Sequence, residues 1–249
     1  MATTTAIAMI APMIMTPPWV GYRVTRRARL KQPIEDRASR PRDQFSVLLP
    51  TMSVFTSIDL TGYTQREGEQ VWIDDRGIVV SLHYFDLVPN LPAPLRDVDR
   101  LRAELARRTA EAGAGLIQAE VGNLDGVPSL FQLVKVPRPN GQGQAFIGSY
   151  TIPKDTCSAV IKAQASEGEM TGMREAIILD RVGPQQYFQQ HPYAPEINTG
   201  LPYHAADRPE FDAEFPDHPL SLLRRELSRI FPTLRVDPRF GALPPFAGE

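Results

Sequence analysis

The strongest periodic signal lies in PLRDVDRLRAELARRTAEAG. Leu95, Val98, Leu101 and Leu105 recur there at helical spacing, with arginines and acids between them. The pattern predicts an amphipathic helix closed by Gly113, since a left-handed cap position favours glycine. Upstream, WIDDRGIVVSLHYF alternates. Ile78, Val80, Leu82 and Tyr84 share one face, and Val79, Ser81, His83 and Phe85 the other. Two strands joined by a tight turn at residues 74–77 account for that alternation. DLVPNLPAP follows as a proline-fixed extended crossing. After the helix come three β-like runs, GLIQAEVGNLDGVPSLFQLVKV, AFIGSYTIP and SAVIKAQAS, with turn signals at residues 123–126 and 139–141. Connections this short predict antiparallel neighbours, because parallel strands need long crossovers.

In GEMTGMREAIILD, the stretch from Ala176 to Leu179 suits either one more strand or a helical turn. Residues 183–219 then form a long Pro- and aromatic-rich segment without a period, and a loop of this length inside a compact domain is often functional. It ends at Asp217-His218-Pro219, where proline suits the first helical position. In LSLLRRELSRIF, Leu220, Leu223, Leu227 and Ile230 line one face, and Arg224, Arg225, Glu226 and Arg229 the other. The tail LRVDPRFGALPPF suits a short strand followed by an extended end. Strands in succession around such helices predict an α+β fold, an antiparallel β-sheet flanked by helices.

Composition narrows the class. The chain has 249 residues, 42% hydrophobic and 22% charged, which excludes a wholly disordered chain, a polytopic membrane protein and a disulfide-stapled mini-protein. A net charge of -2 and a pI near 6.1 argue against nucleic acid as a partner, since phosphate neutralisation needs a basic face. The single cysteine, Cys157, makes no intramolecular disulfide and favours a reducing compartment. With no convincing export signal, the expected location is cytoplasmic.

Charge is unevenly spread. Residues 1–51 carry eight basic and three acidic side chains, net +5, and the rest of the chain is net -7. The arginines follow the apolar stretch AIAMIAPMIM instead of preceding it, the wrong order for a secretory signal. The stretch is also too short and too Pro-broken for a transmembrane helix. Residues 1–51 therefore read as a disordered basic arm or as sequence upstream of a true start at Met52, and residues 52–249 as a single α+β domain. No transmembrane segment is expected.

The order of a strand pair, a Pro-rich crossing, a helix, a hairpin at NLDGVP, strands through YTIP and VIKAQAS and a late helix resembles the PsbP-like α/β/α sandwich. That fold includes the eukaryotic Ran-binding Mog proteins and small bacterial relatives. The likeness lies in element order and in residues 95–136, and covers about half of the chain. It implies a scaffold used mostly for binding other proteins and brings no catalytic motif. The long segment 183–219 departs from a minimal version of that fold.

Candidate chemistry concentrates in YHAADRPEFDAEFPDHP, which holds His204, Asp207, Glu210, Asp212, Glu214, Asp217 and His218. Imidazole and carboxylate together bind zinc, manganese or iron, so His204, Asp207, Asp212 and His218 form a possible metal set. Their spacing is irregular, with no HxxxH or HExxH. Helix capping explains Asp217 and His218, and Asx turns explain Asp207 and Asp212. Cys157 would need a base such as His83 or His191 to act as a nucleophile. Otherwise it reads as a small buried hydrophobe. IGSY is not a GxSxG elbow, and the glycine pairs in GEMTG and GNLDG are not nucleotide loops. Arg174 and Glu175 read as a mutual pair or a strand-end cap.

Tyr187, Tyr193, Phe211 and Phe215, with Phe188 and His191, offer an aromatic binding face, unless the loop folds back and its rings cover the sheet or a helix. The expectation is a non-enzymatic protein-interaction module with a protein partner, no cofactor and no catalytic residue. The alternative is a metal-binding protein or metal-assisted hydrolase using the loop from His204 to His218.

Overall fold

A computed structural model describes residues 54–248 except 140, 141 and 169. The expected basic arm at 1–51, the start at Met52 and the Asn140-Gly141 dipeptide lie outside the described residues. Nine strands are described: β1 Phe55–Ser57, β2 Thr64–Gln65, β3 Val71–Ile73, β4 Val79–Phe85, β5 Gly115–Leu124, β6 Val127–Pro137, β7 Gln144–Pro153, β8 Ser158–Ser166 and β9 Arg235–Val236. The helices are α1 Val98–Glu111, α2 Met173–Val182, α3 Pro184–Tyr187, α4 Pro219–Ile230 and α5 Pro238–Gly241. β2 to β8 form one sheet in the order β2-β3-β4-β8-β7-β6-β5, with every neighbouring pair antiparallel. β1 and β9 pair in a second, two-stranded sheet.

Local chemistry accounts for the joints. The β5–β6 hairpin closes over Asp125 and Gly126, whose φ angles of 51° and 78° are both positive, as a type I′ turn requires. The Asp125 carboxylate also accepts the Val236 N–H at 2.8 Å, tying the hairpin to β9. Asp97 caps α1, and Gly113 follows the last turn at φ 79°, as its position in the sequence predicts. The turn between β3 and β4 is held by Asp74, which accepts the N–H groups of Arg76 and Ile78.

Apolar side chains bind the layers on both faces of the sheet. Leu101, Leu105 and Ala106 of α1 pack with Leu116, Ala119, Leu130, Val134 and Ile147. On the opposite face Leu220, Leu223, Leu227 and Ile230 of α4 pack with Leu133, Phe146, Ile152 and Ile161. Helices therefore flank an antiparallel sheet, as the hydrophobic pattern predicts. Gly148 permits the close seating of α4, because a Cβ there would lie 2.4 Å from Leu227 Cδ1.

The segment that reads equally as strand or helical turn is the helix α2. Its Arg174 and Ile178 point inward, four residues apart on one face, while Met173 and Ile177 are exposed. The 183–219 segment is structured as well. It contains α3 and two 3₁₀ turns, Ala205–Asp207 and Pro209–Phe211. Among the described residues no helix is long and apolar enough to cross a membrane.

Candidate functional site

The long loop is held down by two buried cations. Strand alternation places Phe131, Leu133 and Lys135 of β6 on the α4 side of the sheet. Lys135, 1% exposed, donates to the Asp207 carboxylate at 2.6 Å and to His204 Nε2 at 3.0 Å. Since an ammonium only donates, Nε2 accepts and the neutral His204 ring carries its proton on Nδ1. The ring stacks on Tyr187, 4.9 Å between centroids. Burial pushes His204 down to about 4, and burial likewise lowers Lys135 against the upward pull of Asp207.

Arg174 of α2 is fully buried. Its guanidinium donates to the carbonyls of Ala206 and Arg208, to Asp212 Oδ1 at 2.8 Å and to Ser221 Oγ at 2.7 Å. Arg224 of α4 reaches the same Asp212 oxygen at 3.0 Å. Arg174 is thus paired across the fold with Asp212, and not with its neighbour Glu175 as the sequence suggests.

These pairings correct the four-residue metal set. His204 and Asp207 share Lys135, Asp212 lies between two guanidinium groups, and His218 stands apart at the start of α4. A cationic side chain pairs with each of the two aspartates, and the four residues do not come together as one ligand group among the described residues. The cap residue of α4 is His218, not Asp217: with Pro219 in the first turn, His218 Nδ1 accepts the Leu220 N–H at 3.3 Å.

Of the two readings of the aromatic loop, the structure shows the rings folded back. Tyr187 is buried with Ile178, Ala205 and Ala206, and Phe211 and Phe215 pack half-buried on the same cluster. Tyr193 covers the edge of β5. Its hydroxyl accepts the Ala119 N–H at 3.2 Å, while His191 bonds the Leu116 carbonyl at 2.9 Å. The rings fold back onto helix and sheet, leaving Phe188 exposed. Cys157 is buried in the α4-side core, and the two candidate bases are engaged elsewhere, His83 with Ser81 and His191 with Leu116.

What the loop does build is one wall of a groove of 880 Å³. Pro209 and Pro216 form that wall, α4 supplies Arg224, Arg225 and Ser228, and β5 supplies Gln118 and Glu120. Its floor is two half-buried aromatics and the edge of a third, buried ring. Phe131 and Tyr150 face each other across β6 and β7, 5.1 Å apart, and Tyr150 meets Phe231 edge-on at 4.6 Å. Burial, with a contribution from the Glu120 charge, raises the Tyr150 phenol above its ordinary range. Arg224 is committed to Asp212, whereas Arg225 is exposed and has no ion pair among the described residues.

Phe131, Tyr150 and Phe231 do not stand out in the linear sequence. The signal that finds the first two is hairpin register: β6 and β7 pair on either side of Asn140-Gly141, which sets Phe131 opposite Tyr150. A scan against protein-family models matches none, and no curated protein matches the chain. The class is therefore defined by architecture and groove: an α+β protein whose helix-flanked antiparallel sheet carries an aromatic-floored cleft.

Proposed function

We propose that the protein is a non-enzymatic protein-interaction module of PsbP-like architecture, working in the cytoplasm. The observation that carries this reading is the groove between α4, the 209–216 wall and the face of β5 to β7. Two aromatic rings, Phe131 and Tyr150, held partly exposed over the edge of the buried Phe231, give a partner contact area at little conformational cost. The occupant we assign is an extended polypeptide segment that sets an apolar side chain on Phe131, Tyr150 and Phe231 and a carboxylate on Arg225. Element order supports the architectural part of the proposal, and the single buried cysteine fits a reducing compartment. The face differs from the one the sequence suggests, because Tyr187, Phe211 and Phe215 help to fold the loop that walls the groove.

Site-directed photocrosslinking in the protein's own cells tests the reading. With p-benzoylphenylalanine at position 131, a polypeptide adduct is expected, whereas the exposed position 87 should give none. Arg225→Glu should lower the yield at position 131 by about tenfold, a loss typical of a central contact. Equal labelling at both positions, or no adduct at 131 in a folded protein, overturns the assignment.

A further inference from the structure

A second cluster lies apart from the groove's aromatic floor, at the meeting of β8, α2 and α4. Glu167 follows β8, Glu175 sits in the first turn of α2 and His218 caps α4. One ligand atom from each lies within 4.8 Å of the others, and His218 Nε2 is 3.8 Å from an oxygen of each glutamate. The His218 side chain is 9% exposed, and among the described residues neither its Nε2 nor the buried Glu175 Oε2 has a hydrogen-bond partner. Glu167 is fixed by the backbone N–H groups of Gly172 at 2.8 Å and Gln144 at 2.7 Å.

We propose that Glu167, Glu175 and His218 bind one divalent transition-metal ion of the zinc or manganese class. Charge is the first argument. Two carboxylates face one imidazole in a largely buried place. Lys135 is turned to Asp207 at 2.6 Å, and Arg138 donates to the Glu167 backbone carbonyl at 2.7 Å and forms no ion pair with either carboxylate among the described residues. Like charges so placed are costly without a compensating ion. The helix N-termini of α2 and α4 offset part of that charge, and a divalent cation would offset it fully.

Geometry is the second argument. Ligands about 2.1 Å from a tetrahedral ion stand roughly 3.4 Å apart, so side-chain rotations must draw in the two 3.8 Å separations and the ligand atoms that lie within 4.8 Å of one another. Mixed oxygen and nitrogen donors suit zinc or manganese, and three protein ligands leave a position for water. The imidazole tautomer adds a distinct consequence. Nδ1 accepts the Leu220 N–H in the metal-free ring, so Nε2 bears the proton. Metal at Nε2 shifts that proton to Nδ1, and the 3.3 Å contact with Leu220 is given up.

This assignment is independent of the groove. Its test is a titration of the metal-stripped full-length chain with Zn²⁺ and with Mn²⁺, read by calorimetry and by Mn²⁺ broadening of amide signals. One equivalent is expected to bind, with Mn²⁺ broadening centred on Gly172, Glu175 and His218 and Zn²⁺ shifting the Leu220 amide. Glu175→Gln removes a ligand whose buried Oε2 has no hydrogen-bond partner among the described residues. His218→Asn removes the ring nitrogen yet keeps a side-chain oxygen able to cap α4. Each should weaken binding by about tenfold or more, the scale of a lost coordination contact, while Asp217→Asn leaves it unchanged. Wild type that binds neither ion, or variants that bind as tightly as wild type, overturn the site.

Discussion

At the scale of single residues, the decisive feature is where the protein spends its buried charge. Lys135, Asp207 and Arg174 are each at most 1% exposed, and each pairs with a charged or polar group from a different element, Asp207 through Oδ2 alone. His204 is the neutral member of this network, held below its ordinary range by burial. Its folded value of about 4 lies under the roughly 6.5 of an unfolded histidine. Between those values the unfolded chain takes up a proton that the fold refuses, so stability falls as pH drops through the window and is unaffected by this group above it. Burial lowers His83 and His191 too, so they act in the same direction. Urea unfolding at pH 7, 6 and 5 should show a declining free energy, to which His204 contributes up to about 1.4 kcal/mol per pH unit. His204→Gln retains an acceptor for Lys135 and should flatten the profile. An unchanged slope in that variant would show that His204 does not titrate with folding.

At the scale of elements, close seating of α4 on β7 depends on Gly148. Gly148→Ala places a methyl against Leu227 and should cost about 1–3 kcal/mol as overpacking, with part regained in Gly148→Ala/Leu227→Ala. Chemical denaturation measures both, and a neutral Gly148→Ala would mean that α4 shifts without strain. The elements themselves are largely legible in the linear chain. Leu101 and Leu105, or Leu220, Leu223 and Leu227, announce their helices because one face meets a sheet. Asp125-Gly126 announces its hairpin because few residue pairs tolerate two positive φ angles. α2 is ambiguous for a physical reason: its inward face carries Arg174, whose burial depends on carbonyls and carboxylates more than thirty residues away. The same reason hides the candidate sites. Glu167, Glu175 and His218 come from three elements, and the groove's aromatics from two strands and the end of α4, so no spacing in one segment marks either.

At the scale of the whole molecule, the 183–219 loop belongs to the folded body instead of serving as a detachable arm. Lys135 ties it to β6 through Asp207, Arg174 ties it to α2 and α4 through Asp212, and Tyr193 and His191 seal the β5 edge. A groove walled by such a loop is preorganised, so a partner need not order the wall on binding. Hydrogen exchange makes this measurable. The amides of Asp207 and Arg208, which donate to His204 and Ala205, should be protected to a degree comparable with β6 and β7, since they open only with the body. Lys135→Met leaves Asp207 buried without its counter-ion, at a cost of about 3–5 kcal/mol. That variant should release the loop amides first while the β6–β7 amides stay slow. Loop amides that exchange within seconds in the wild type would instead make the wall mobile, and the groove would then have to form around its partner.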